Sequence, residues 1–210
     1  MYGAAVTLGK GKSHSKTEVK KVAAPLKVER KSYVPKDTLV VFTGTEFLYL
    51  DHKADSWAVG DIEAVSDQPL EIAENASVVR VDDRCANATL FVTGGVLQSG
   101  AVLNWAYGLS FEKDKDGLVA YMTTSDPQLL LPEQRFMHQS CVVEDENGDP
   151  ILLVVGGKVG ATPIQSKFTN SVIGFNMKEV FAGKPATKSW ASLEPMHSAR
   201  ANFSLTVINN

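Results

Sequence analysis

The residues able to do chemistry are few and scattered. His14, His52, His138 and His197 stand apart, and Cys85 and Cys141 occur singly, with neither a CxxC pair nor a Cys/His spacing that suits zinc. No nucleophile, base and orienting group fall together, so the sequence offers no catalytic residue, no metal site and no cofactor. Asp145-Glu146-Asn147-Gly148-Asp149 alternates acidic oxygens as a calcium loop does, but its glycine is misplaced and no bidentate glutamate follows. A turn is expected there. Gly156-Gly157-Lys158 lacks the GxxxxGK[ST] spacing and the following helix of a phosphate loop, which leaves Lys158 a loop residue. His138 shares one face of an expected strand with Ser140, and reads as a partly buried hydrogen bonder.

The elements that would hold these residues follow from composition. The chain has 210 residues, 22.7 kDa and 44% hydrophobic residues, enough for a real core. No segment reaches the roughly 18 to 20 consecutive apolar residues of a membrane helix, and the apolar start at Met1 to Leu8 is too short for a secretory signal. Two isolated cysteines fit a reducing compartment. Charge is unevenly placed: residues 1–36 hold nine basic and two acidic residues, net +7, whereas the remainder holds 12 basic and 22 acidic, net −10. Lysine, serine, Pro25 and Pro35 mark residues 1–36 as a basic extended arm on an acidic body. The arm lacks the stacking component of a specific single-strand binder, so it is suited to an acidic surface and no specific nucleic acid is expected.

From Thr38 onward the chain breaks into short valine-rich and aromatic runs separated by turn residues, the pattern of an all-β body. Asn147-Gly148 and Asp116-Gly117 read as hairpin turns, and Lys178 to Ala182 as the lone helix. A repeat runs through these strands. Leu90-Phe91-Val92-Thr93-Gly94-Gly95 and Leu152-Leu153-Val154-Val155-Gly156-Gly157 are one phrase 62 residues apart, and the runs begun by Arg135 and Arg200 are a second, 65 apart. After the double glycine of the later unit come Phe175 and, at the start of a fourth strand, Trp190. An earlier unit shows Gly44, Tyr49 and Trp57 in the same order. The middle unit carries Trp105 and Tyr107 on its third strand but no tryptophan on its fourth, and Glu74 or Asn75 where the others have arginine.

This pattern resembles the kelch repeat, whose units are the four-stranded antiparallel blades of a β-propeller. Beyond the basic arm at 1–36, the resemblance implies a partial propeller over 37–210, with blades at about 37–65, 74–126 and 135–196 and a final strand at 199–208. It implies that Gly44, Gly94, Gly95, Gly156 and Gly157 allow close backbone approach, while Tyr49, Trp57, Phe175 and Trp190 fill space between sheets. The first blade lacks its first strand and fewer than three units are complete, so another chain or further blades would cover the open edges. Kelch propellers serve most often as platforms for proteins, which implies partner contact at Arg135, Ser140 and Arg200 through the planar guanidinium fork. The structural alternative buries the arginine against backbone carbonyls. The expected role is a noncatalytic interaction or scaffold module in a cytoplasmic assembly, of which a cytoskeletal one is an option, in preference to a mitochondrial one. Attachment to a filament or nucleic acid through the arm comes second, and a kelch-type enzyme third.

Overall fold

The computed structural model describes residues 38–51, 53–63, 71–81, 85, 88–113, 115, 117–124 and 126–208, all within the unit Lys31–Asn210. The expected arm at 1–36 lies outside the described residues. The described chain is all-β and open, with a propeller-like succession of antiparallel strands. Among the described residues no helix is long and apolar enough to cross a membrane.

The first unit is a three-stranded meander of β1 (Val40–Phe42), β2 (Glu46–Asp51) and β3 (Ser56–Ile62). The β2–β3 turn closes on Asp51, whose Oδ1 accepts from the Lys53 N–H at 2.9 Å. The middle unit is the four-stranded antiparallel meander β4 (Ser77–Arg80), β5 (Leu90–Thr93), β6 (Ala106–Lys113) and β7 (Leu118–Thr124). In the third unit β8 (Arg135–Phe136) precedes β9 (Gln139–Glu144) and β10 (Pro150–Val155); then come β11 (Lys158–Val159), β12 (Lys167–Phe168), β13 (Val172–Asn176), the single-turn helix α1 (Lys178–Phe181) and β14 (Ala191–Leu193). Its four long strands order as β14-β13-β10-β9, and β12-β11-β8 form a small sheet beside them. The Asp145 loop is a turn, as its sequence implied: Asp145 Oδ1 accepts from the N–H groups of Asn147 and Asp149 at 2.9 and 2.8 Å.

The core that joins the middle and third units lies between their sheets. Phe91 of β5 packs in one buried cluster with Leu152 of β10 and Phe175 of β13, and α1 adds Val180 and Phe181. Trp190 closes this cluster, its ring 5.3 Å from Phe175 and its indole N–H donating to the Leu129 carbonyl at 3.3 Å.

Three expectations about this framework are corrected. The first unit is not a separate blade, because β3 pairs in parallel with β7 through Asp61↔Val119 and Ile62↔Ala120, giving one curled sheet ordered β1-β2-β3-β7-β6-β5-β4. The cause is a shared apolar cluster: Phe47 from β2 is fully buried with Phe111, Leu118 and Ala120 of the middle unit. Gly60 makes that possible, since a Cβ there would overlap the Phe47 ring and approach the Leu118 carbonyl oxygen at 2.7 Å. Trp57 does not fill an inter-sheet space; it lies on the far side of β3 and is 50% exposed. Residues 199–208 form no ladder, because among the described residues no second strand stands beside them to complete one.

Candidate interaction site at the unit junctions

The double glycines end the second strands with a repeated backbone geometry. Gly94 and Gly156 both have φ of +59°, while Gly95 and Gly157 have φ of +103° and +94°, conformations that a side chain disfavours. A Cβ on Gly94 would come within 2.2 Å of the Arg135 carbonyl oxygen, and one on Gly156 within 2.7 Å of the Arg200 oxygen. The glycine pairs therefore admit the backbone of the next unit, and it bonds there: Gly95 N–H donates to Arg135 O and Gly157 N–H to Arg200 O, each at 2.8 Å.

A second bond repeats beside the first. Met137 N–H donates to Asn75 O at 3.0 Å and Asn202 N–H to Met137 O at 2.9 Å. Asn75, Met137 and Asn202 share positive φ values of 56°, 55° and 54°. These three residues hold the same place in successive units, so the middle unit's counterpart of Arg135 is Ala73, two residues earlier. The sequence alignment at Glu74 or Asn75 was displaced because the turn holding this strand start contains no arginine to mark it. Gly44, with φ of +105°, matches the second glycine of the pair. Its first-glycine position is Thr43, whose N–H bonds to Glu46 O as Gly94 bonds to Trp105 O and Gly156 to Ser171 O.

Arg135 is not a partner-facing fork. It is 1% exposed, its Nη1 donates to Gly156 O and its Nη2 to Ser171 Oγ, both at 2.8 Å, and Glu133 approaches Nη2 at 3.6 Å. Burial lowers its pKa from the usual arginine value, with Glu133 opposing. Arg200 holds the corresponding backbone place but is exposed. The two arginines are thus not brought together, and they do different things.

Ser140 lies at the inner junction. Thr93 Oγ1 is 2.8 Å from His138 Nε2 and 2.9 Å from Ser140 Oγ, which ties β5 to β9. His138 is 1% exposed. Burial, then the charge of Arg135, lowers its pKa to about 3, while Thr93 opposes the shift, so the ring is neutral near pH 7. A neutral imidazole locked in this way works as a clamp between sheets. Burial also raises the pKa of the Cys141 thiol, which disfavours its thiolate. Lys158, expected as a loop residue, stands on β11 with its ammonium 4.8 Å from the Phe168 ring centre and 5.9 Å from that of Phe136. Sequence reasoning missed Thr93 and Ser171; the available signal was a hydroxyl residue beside each end of an otherwise apolar phrase. Among the described residues no three His, Cys, Asp or Glu side chains are grouped to hold a metal ion.

No family model and no curated protein sequence matches the chain.

Proposed function

We propose that this chain is a kelch-like propeller segment that acts as a noncatalytic interaction and scaffold module in a cytoplasmic assembly. One observation carries the reading: side chains buried at and beside the unit junctions bond within the molecule, whereas large apolar residues are exposed in every unit, the first included. Arg135, His138, Thr93 and Ser140 hold sheet to sheet. Leu39, Val41, Trp57 and Val59 of the first unit are exposed, as are Val207 and Ile208. Trp57 and Val59 lie two residues apart on β3 and so share one face of it, and contiguous exposed apolar surface is characteristic of protein contacts.

The experiment is affinity capture with the purified wild-type chain and with Trp57→Ser and Val59→Ser, each first checked by circular dichroism. A defined protein recovered in stoichiometric amount by the wild type and lost with the folded variants is the expected result. Equal recovery by all three chains, or no stoichiometric protein, would overturn the proposal. The basic charge of residues 1–36 favours a second contact with an acidic surface, which deletion of the arm and rising salt would both abolish.

A further inference from the structure

The β11–β12 hairpin differs in charge from the body that carries it. Between Asp149 and Glu179 the chain holds no acidic residue, whereas residues 37–210, with 12 basic and 22 acidic residues, carry a net −10. Among the described residues Lys158 and Lys167 of the hairpin form no ion pair, and Glu133, near its neck, is engaged by Arg135 Nη2. The neck is held on two sides: Gly160 N–H donates to Gln134 O at 3.2 Å and Val102 N–H to Ala161 O at 3.3 Å. From this support Ile164 projects at the tip, 97% exposed.

The tip is closed on itself. Pro163 has no N–H, its carbonyl accepts from Ser166 Oγ at 2.7 Å, and the Gln165 N–H donates to Thr162 Oγ1 at 3.3 Å. Polar groups bonded in this way lower the cost of leaving water for an apolar interface. The register Lys158↔Phe168 and Val159↔Lys167 puts one lysine on each face of the hairpin, set back from Ile164, with the exposed Phe168 beside Lys158. A hairpin that docked sideways on a protein would gather these groups on one face. Cations on both faces behind an apolar tip instead suit end-on entry into a layer that is anionic at its surface and apolar beneath. We propose that the β11–β12 hairpin inserts end-on into an anionic lipid surface, with Ile164 at the acyl boundary and Lys158 and Lys167 on acidic headgroups.

The test is co-sedimentation of the full chain with vesicles of phosphatidylcholine containing about one third phosphatidylserine, and with phosphatidylcholine alone. Ile164 touches little in the folded chain, so Ile164→Ser keeps the fold, which circular dichroism and melting verify for every variant. The wild type should bind the anionic vesicles and not the neutral ones. Ile164→Ser should weaken that binding about three- to tenfold, and Lys158→Gln/Lys167→Gln about tenfold. Ile164→Trp should gain fluorescence quenching, beyond that of the wild type, from lipids brominated in the acyl chain. Equal binding by the wild type and Ile164→Ser would assign the attraction to residues 1–36 alone and overturn the proposal. Binding without added quenching, or equal binding to neutral vesicles, would overturn it too, and no vesicle binding at all would leave the tip to a protein partner. Partner capture through Trp57 is measured on the same variants, so failure here is distinguishable from failure of the scaffold reading.

Discussion

The junction between the middle and third units and the junction between the third unit and residues 200–208 share a backbone but differ in side chains. Both use a double glycine with matching φ angles, and both receive the same two backbone bonds from the chain that follows. At the first, Arg135 is buried on Gly156 O and Ser171 Oγ; at the second, Arg200 is exposed. The partners of Arg135 lie 21 and 36 residues further along its own unit, one just after β10 and the other just before β13. Arg200 has no described strands in those places. The backbone of a repeat is therefore set by the preceding unit, whereas the fate of its arginine is set by the rest of its own.

The comparison is most easily broken at the glycines. Gly94→Ala places a methyl group against Arg135 O at a positive φ, and is expected to cost about 3 to 5 kcal/mol in urea unfolding. Gly156→Ala meets the Arg200 carbonyl oxygen at 2.7 Å rather than 2.2 Å and should cost less, while Gly148→Ala, with open space around it, should cost only about 1 kcal/mol. Equal losses at Gly94 and Gly148 would mean that the glycine pair does not admit the neighbouring unit.

Arg135→Ala comes next. It removes two hydrogen bonds at a buried site and leaves Gly156 O unpaired, an expected loss of about 2 to 4 kcal/mol. Arg200→Ala should change stability by less than about 0.5 kcal/mol. Denaturant titration of the two variants side by side measures the contrast.

His138 sharpens the same comparison through pH. Its folded-state pKa of about 3 lies below the unfolded value of about 6.5, so between them only the unfolded chain takes up a proton. Its contribution is complete above pH 6.5, is lost as the pH falls, and levels off near pH 3. The slope approaches about 1.4 kcal/mol per pH unit within that window. His138→Gln, which retains a group able to bond Thr93, should flatten this part of the pH profile.

Much of this framework was legible in the sequence. The double-glycine phrases, the arginine-led phrases and the turn at Asn147-Gly148 locate the middle and third units, and Phe175 and Trp190 pack against one another in the shared core. The parallel union of β3 with β7 was not legible, because it depends on Phe47 reaching a cluster more than 60 residues away along the chain, which strand periodicity does not encode. The partner-facing reading of Arg135 failed for a related reason. An arginine's type and place are the same whether it faces solvent or a carbonyl, and only the folded position of Gly156 and Ser171 decides between them. The displaced alignment at Glu74 arose because Asn75, Met137 and Asn202 share a backbone conformation rather than a side-chain type.

The central claim is that residues 200–208 begin a further unit on the template used by Ala73 and Arg135. Backbone hydrogen exchange on the wild-type chain, read residue by residue at low protein concentration, tests it most directly. Protection of the Gly157 and Asn202 amides comparable to that of Gly95 and Met137, with rapid exchange from Ser204 to Ile208, is the result this account predicts. Rapid exchange at Gly157 and Asn202 beside protected Gly95 and Met137 would contradict it.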